Sequence, residues 1–208
     1  MIDARTALIV VDFQNDFCPG GNLAVAGGDE IVPLVNALGK RFATVVLTQD
    51  WHPAGHSSFA SSHPGRAAFE TVDMPYGTQV LWPDHCVQGS DGAAYHPALD
   101  LSMAQAIIRK GCRPEVDSYS GFVEADRTTP TGLGGYLKER GIARVAVVGL
   151  ATDFCVNWTA QDAARHGFET IVIEEACRAI DLDGSLERAW AEMAALDVRR
   201  AGLSDLSG

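Results

Sequence analysis

The chain has 208 residues, 47% hydrophobic and 21% charged, a composition typical of a single globular domain with a substantial core. Its formal net charge of −11 argues against binding to nucleic acid or an anionic membrane, since both require clustered lysine and arginine, so we expect neither partner. We expect a cytoplasmic protein for three reasons. The five cysteines contain no CxxC pair, the start does not resemble a signal peptide, and no apolar stretch has the length of a membrane span.

Short apolar runs alternate with helical patterns along the chain. The predicted strands are 7–11, 44–48, 106–109, 145–149 and 171–174. Helical spacing appears at Ile31, Leu34, Val35 and Leu38, then at Leu133, Tyr136 and Leu137 behind Pro130, and finally at Leu186, Ala189, Trp190, Met193 and Ala194. Strands that alternate with helices predict an α/β fold of three layers, doubly wound, with a parallel sheet covered by helices on both faces.

The stretch from about 50 to 95 interrupts this alternation. It is rich in glycine, proline, histidine and serine and has little regular periodicity. A loop region of that length inside a compact domain usually has a function. We therefore expect it to carry ligand-binding residues.

Reactive side chains follow four of the predicted strands: Asp12, Asp50, Lys110 and Cys155. In open α/β sheets the ligand crevice lies beyond the carboxyl ends of the strands, so these groups are expected to converge. Any one of them has an ordinary explanation, because an aspartate often caps a helix and a lysine is usually a solvated surface charge. Four together favour a site.

Cys155 is the candidate nucleophile. Thr152 and Asp153 are typical helix-starting residues, which places the thiol in the first turn of a helix just after a strand. The helix dipole and unsatisfied N–H groups there favour a thiolate. The alternative, a small buried hydrophobe, stays open for Cys155 and is the default for the other cysteines, Cys18, Cys86, Cys112 and Cys177.

Two further strand-end residues complete a nucleophilic set that needs no histidine. A partly desolvated Asp12 carboxylate can take the proton of Cys155 and later return it. Lys110 would keep Asp12 ionised and favour the thiolate through its positive charge.

A second group has the character of a metal site. Asp50 and His52 are alternate residues, so both side chains can point the same way from an extended backbone, and His85 can supply a third ligand. Such a set with open positions suits a divalent metal that still binds water or substrate. His56 is either a fourth ligand or an outer-shell group. The alternative is a set of ordinary loop histidines.

With these motifs in order, nearly the whole chain, to about residue 200, resembles the nicotinamidase group of the isochorismatase-like cysteine hydrolase family. The segments that carry the resemblance are 10–21, 49–56, 75–77, 81–89, 108–111, 118–122 and 149–156. Several motifs in matching order are far more specific than any one of them. The tail 201–208 lies outside these motifs, and we expect it to be frayed. The resemblance implies one isochorismatase-like hydrolase domain over residues 1–208, built on a six-stranded, mainly parallel sheet.

The resemblance also implies roles for residues of this chain. Asp12, Lys110 and Cys155 would be the catalytic triad, and Asp50, His52 and His85 the metal ligands, with His56 a ligand in only some members. The backbone N–H groups of Ala151 and Cys155 would form the oxyanion hole, next to a cis peptide between Leu150 and Ala151. The substrate ring would contact Phe17, Trp82, Tyr119 and Leu150.

The implied reaction is hydrolysis of nicotinamide to nicotinate and ammonia through a cysteine thioester, a step of NAD salvage, with pyrazinamide as a further substrate. The implied cofactor is one divalent metal ion, Zn²⁺ first, with Fe²⁺ and Mn²⁺ as alternatives, and the partner is a small amide. Three other functions stay open: a metal hydrolase with a structural Cys155, a triad hydrolase of N-carbamoyl or ureido substrates, and a non-catalytic metal- or ligand-binding module. A homo-oligomer also stays open.

Overall fold

The computed structural model describes residues 2–206. Its strands are β1 (Thr6–Val11), β2 (Thr44–Asp50), β3 (Thr71–Met74), β4 (Gly77–Val80), β5 (Ala106–Lys110), β6 (Arg144–Leu150), β7 (Glu169–Arg178) and β8 (Arg199–Ala201). Its α-helices are α1 (Val32–Gly39), α2 (Leu133–Glu139), α3 (Asn157–Arg165) and α4 (Ser185–Ala194). Among these described residues no helix is long and apolar enough to cross a membrane.

Six strands form one sheet in the order β5-β2-β1-β6-β7-β8. Each neighbouring pair is parallel, so the sheet is wholly rather than mainly parallel. The chain builds outward from β1 on one side through β2 and β5, then crosses to β6 on the other side. The reversal between β1 and β6 is the switch point at which doubly wound folds bind their ligands.

The sheet is covered on both faces, as predicted. Along β1, Leu8 and Val10 pack into the core on the α1 side, and Ala7, Ile9 and Val11 pack into the core beneath α2, α3 and α4. This alternation follows from the two-residue period of a strand, and a strand buried on both faces reads as one apolar run. All of β1 is buried for that reason.

Three local predictions were wrong. Pro130 does not start a helix, because it bridges to Val123 and α2 begins only after Gly132. The tail from Ala201 onward, expected to be frayed, contains the end of β8 and a buried Leu206, while Ser207 and Gly208 lie outside the described residues. Ala194, the last residue of the apolar helical pattern, is exposed, whereas Trp190 of the same pattern is half-buried and packs against the core.

The stretch 50–95 is more regular than its composition suggests. It holds an antiparallel hairpin, β3–β4, that does not join the main sheet. Isolated bridges also tie His52 to Val87 and Phe59 to Trp82. The loop is therefore folded back on itself over the carboxyl edge of the sheet.

Candidate active site and metal centre

The four reactive strand-end residues converge as predicted. Asp50 and Lys110 are the last residues of the paired strands β2 and β5, and Asp12 follows β1. Cys155 lies in a single π-helical turn, Thr152–Val156, between β6 and α3. Because neighbouring parallel strands end at the same edge, the four side chains share one crevice at the switch point.

Lys110 is the hub of the site. Its Nζ lies 2.9 Å from Asp12 Oδ2, 3.0 Å from Asp50 Oδ1 and 3.4 Å from Cys155 Sγ. It also donates to the Ser118 carbonyl oxygen at 2.8 Å. Burial lowers the pKa of Lys110, but the carboxylates of Asp12 and Asp50 outweigh it and hold that pKa well above its ordinary value. The side chain is therefore a buried cation shared by two carboxylates and a thiol.

The two carboxylate oxygens of Asp12 differ in their contacts: one is hydrogen-bonded to Thr48 and the other faces Lys110. Its Oδ1 accepts a 2.6 Å hydrogen bond from Thr48 Oγ1, which in turn accepts from the Asp12 N–H at 3.2 Å. Its Oδ2 lies within ion-pair distance of Lys110 but accepts no aligned hydrogen bond among the described residues. Burial raises the pKa of Asp12 although Lys110 pulls it down, so this carboxylate is poised to take up a proton.

A helix start favours a thiolate at Cys155, but burial of its side chain opposes one. Burial raises the pKa of the Cys155 thiol well above its ordinary value, more than the Lys110 charge lowers it. Burial also raises the pKa of Cys18 to about 11 and of Cys177 to about 12. What distinguishes Cys155 from these is its contact with Lys110 and its place in the pocket that Asp50 and His85 also line.

Three side chains form a group that can hold a metal ion: Asp50, His52 and His85. Asp50 Oδ2 lies 3.1 Å from His52 Nε2 and 3.5 Å from His85 Nε2. Each imidazole uses Nδ1 on a backbone oxygen, that of Gly111 at 3.1 Å for His52 and that of Pro83 at 2.8 Å for His85. An Nδ1–H donated outward leaves the Nε2 lone pair free for a cation, the usual arrangement around a metal-binding histidine.

The charge and the backbone fit the same interpretation. Burial raises the pKa of Asp50, but His52 and Lys110 lower it far more, so the carboxylate is ionised and available as a ligand. Gly111 has a φ of +66°, and a Cβ there would lie 2.5 Å from His52 Cε1. Glycine is therefore needed beside this imidazole.

His56 is placed differently from the other two histidines. Its Nδ1 accepts from the Ser58 N–H at 3.2 Å, so its Nε2 carries the hydrogen and lies 2.9 Å from the Arg113 carbonyl oxygen. Both ring nitrogens are thus occupied by protein atoms, which makes His56 an outer-shell group here. It does form a second cluster with His52 and Asp117, a buried carboxylate that sequence reasoning missed.

A mostly apolar pocket opens beside the thiol and the metal group. It is lined by Phe17, Leu23, Asp50, Trp82, His85, Asp117, Tyr119, Ala151, Phe154, Cys155 and Ile180. Phe17, Trp82 and Tyr119 were expected there. Leu150 was also expected, but it is fully buried in the core on the α1 side and does not line the pocket.

The turn before Cys155 has the geometry that the resemblance implies. The Leu150–Ala151 peptide bond is cis. Gly149 has a φ of +125°, and a Cβ there would collide with the Val11 carbonyl oxygen, so only glycine lets β6 run this close to β1. Ala151 faces the pocket together with Cys155. The oxyanion role of their N–H groups stays a prediction.

Known proteins match both the sequence and the fold. The chain is 63% identical over 194 residues to a nicotinamidase of Acinetobacter baylyi. The matched region covers 93% of this chain and 91% of that protein. A solved nicotinamidase/pyrazinamidase structure from Acinetobacter baumanii matches with a TM-score of 0.97 and 59% identity, over 98% of this chain and 99% of that one. A zinc complex of a Pyrococcus horikoshii pyrazinamidase matches with a TM-score of 0.78 and 37% identity, over 96% and 99%.

A family model also covers most of the chain. The isochorismatase domain model matches residues 6–200, which include all the strand-end residues described above. Together with the sequence identity, this match shows that the chain belongs to the isochorismatase family.

Proposed function

We propose that this protein hydrolyses nicotinamide to nicotinate and ammonia. One observation carries the proposal: Lys110 joins the candidate base, nucleophile and metal ligand, Asp12, Cys155 and Asp50, in a single buried ion-pair network. The extensive identity to a nicotinamidase supplies the substrate. Pyrazinamide, which has the same ring shape and carboxamide, is the expected second substrate.

Acylation needs only residues of this chain. Asp12 takes the proton of the Cys155 thiol on its open Oδ2, and the sulfur attacks the carboxamide carbon. The backbone N–H groups of Ala151 and Cys155 hold the oxyanion. Asp12 then gives its proton to the departing nitrogen, so the C–N bond breaks, a C–S bond forms and ammonia leaves.

Deacylation repeats these roles with water. Asp12 removes a proton from a water molecule, which attacks the thioester carbonyl, and the C–S bond breaks to release nicotinate. The proton returns to Cys155. Throughout the cycle Lys110 keeps a positive charge beside both exchanging groups, which limits the cost of placing negative charge in this buried site.

The divalent metal would be held by Asp50, His52 and His85. Zinc is the first choice, because the Pyrococcus horikoshii relative binds it. The alternatives are Fe²⁺ and Mn²⁺. The bound metal would offer an open position to the pyridine nitrogen and so fix the orientation of the ring. Phe17, Trp82 and Tyr119 supply the flat apolar walls that suit an aromatic ring.

Loss of the metal should lower the rate on substrates that have a ring nitrogen far more than the rate on substrates that lack one. Chelation, or His52→Ala, should lower activity on nicotinamide by about a hundredfold, because the ring loses its anchor. Benzamide has the same amide but no ring nitrogen, so its already poor rate should barely change. Steady-state rates on both substrates measure this, with His96→Ala as the control histidine variant. Equal losses on the two substrates would mean that the metal activates water or supports the fold.

Ammonia release from nicotinamide is the direct test of the proposed function. Release by the metal-loaded protein supports it, and its absence would contradict it. A hydrolase of N-carbamoyl or ureido compounds would release ammonia from those substrates instead, and a binding module would release none. A metal hydrolase with a structural Cys155 would remain active after thiol alkylation.

We also propose the setting in which the protein works. Five free cysteines support a reducing cytoplasm, and the net charge of −11 supports a small-molecule partner rather than nucleic acid or membrane. Residues 1–208 would act as one domain, in which the stretch 50–95 supplies the metal ligands.

A further inference from the structure

The hairpin β3–β4 has a buried residue with no assigned role. Its strands are joined by the two-residue turn Pro75–Tyr76, and most of its side chains are exposed or half-buried. Gln79 is the exception, with 2% of its surface exposed. A glutamine is seldom buried without specific hydrogen-bond partners, so its partners indicate what it is for.

Those partners lie on the wall of the substrate pocket. Gln79 Nε2 lies 2.7 Å from Asp117 Oδ2 and 2.9 Å from the Tyr119 hydroxyl oxygen. It also lies 2.7 Å from the Val80 carbonyl oxygen. Because a carbonyl and a carboxylate only accept, the NH₂ group must face them, and its two hydrogens are shared among the three oxygens. The opposite end, Oε1, accepts from the Tyr76 hydroxyl of the hairpin turn at 3.3 Å.

The contact with Tyr119 fixes more than one ring. The Tyr119 hydroxyl also accepts from Trp82 Nε1 at 2.9 Å, so both of its accepting positions are used. Trp82 in turn packs edge-on against Phe154, with ring centroids 4.9 Å apart. Gln79 therefore ties the hairpin to the three aromatic side chains that form one side of the pocket.

The contact with Asp117 reaches the metal group. Asp117 Oδ1 accepts from the Ser118 N–H at 2.8 Å and lies 4.0 Å from His52 Nε2. With Oδ2 held by Gln79, both oxygens of this buried carboxylate have a fixed partner. One amide group thus orients the acidic and the aromatic sides of the pocket at once.

We propose that Gln79 is a positioning residue for the substrate ring, acting through Asp117 and Tyr119, so that this one buried residue of the hairpin β3–β4 belongs to the substrate site. The inference rests on the proposed nicotinamide hydrolysis. Because Gln79 touches neither Cys155 nor Asp12 in any contact described above, its loss should weaken ring binding more than it slows the chemical steps.

The test is steady-state kinetics on nicotinamide, with rates expressed per Cys155 site titrated by alkylation. Gln79→Leu, which keeps the size but removes the amide, should raise KM about tenfold because buried Asp117 and Tyr119 lose a partner. The kcat per titrated site should stay within about twofold. Gln79→Glu should not rescue KM, because it places an acceptor against the Asp117 carboxylate.

Thr78→Val is the matched control, because Thr78 is the neighbouring residue of β4 and its side chain is exposed. It should leave KM unchanged. An unchanged KM in Gln79→Leu, a normal KM in Gln79→Glu, or an equal rise in Thr78→Val would overturn the proposal. If Gln79→Leu has fewer alkylatable Cys155 sites but an unchanged KM and kcat per site, the role of Gln79 is purely structural, and the proposal is also overturned.

A second measurement does not depend on turnover. A crystal structure of Gln79→Leu should show the Asp117 and Tyr119 side chains displaced from their positions in the parent protein. Unchanged positions would overturn the inference. If the parent protein fails to hydrolyse nicotinamide, the proposed function fails, and this structural comparison still decides the role of Gln79.

Discussion

Cys155→Ala should abolish turnover of nicotinamide, with a loss of roughly four orders of magnitude or more, because no other group can form the thioester. The fold and nicotinate binding should persist, since alanine differs from cysteine by one atom and the Cys155 thiol is in polar contact with the catalytic residues Lys110 and Asp12 rather than with the surrounding framework. Ammonia release gives the rate, and a nicotinate titration shows that the pocket is intact.

Cys112→Ala is the control for this variant. Cys112 is exposed, and its thiol lies 3.9 Å from the Lys110 carbonyl oxygen rather than from the amine. It should keep the parent rate. Substantial turnover by Cys155→Ala would contradict the covalent mechanism and favour a metal hydrolase in which Cys155 is structural.

Lys110→Met should have the second largest effect. Removing the cation leaves Asp12 buried without its counter-charge and takes one of two partners from Asp50, and removing one partner of a buried pair costs about 3–5 kcal/mol. Activity should fall severely, and the pKa of Cys155 should rise further because the Lys110 charge is what lowers it. The pH at which alkylation of Cys155 is half-maximal reports that change.

Lys110→Met should also change how the free energy of unfolding depends on pH. Without Lys110 the folded-state pKa of Asp12, which burial already raises, should lie further above its unfolded value, so folding favours the protonated form of Asp12 more strongly. Stability gained in this way is present below about pH 4 and is lost as pH rises through the folded pKa. The deficit of Lys110→Met in the free energy of unfolding should therefore grow from acidic to neutral pH.

Lys138→Met is the matched control, since Lys138 is exposed on α2. It should match the parent protein in alkylation profile and in denaturant unfolding at each pH. A parental alkylation profile in Lys110→Met would show that Lys110 does not set the ionisation of the thiol.

The central part of the site was predictable from sequence because it follows from strand ends. Apolar runs locate β1, β2, β5 and β6, and a parallel sheet brings the residues that follow them to one edge. That rule alone joins Asp12, Asp50, Lys110 and Cys155. The strand-end rule does not reach His52 and His85, because they meet Asp50 only through the fold of a long loop.

Other features leave no periodic trace in the sequence. The strand β8 has the sequence Arg-Arg-Ala, and β3–β4 is short and largely exposed, so neither shows a buried strand pattern. Asp117 and Phe154 are placed in the pocket by tertiary contacts alone. The one available signal for Asp117 was its position directly before the Ser118–Phe122 motif.

The ionisation of Cys155 shows where local reasoning fails. Cys155 lies in a helical turn just after a strand, as predicted, and a helix start does favour a thiolate. That benefit is small beside the cost of burying a negative charge, which depends on how the rest of the chain covers the thiol. We therefore assign the proton transfer to the attack step, with Asp12 as its acceptor.

The most direct test of the covalent mechanism is mass spectrometry of the protein after rapid acid quench during turnover of nicotinamide. The account predicts a nicotinoyl group on the peptide that contains Cys155, formed early in turnover and absent from Cys155→Ala. Ammonia release at the full rate with no acyl group on that peptide, under conditions where added nicotinoyl thioester survives the quench, would contradict it.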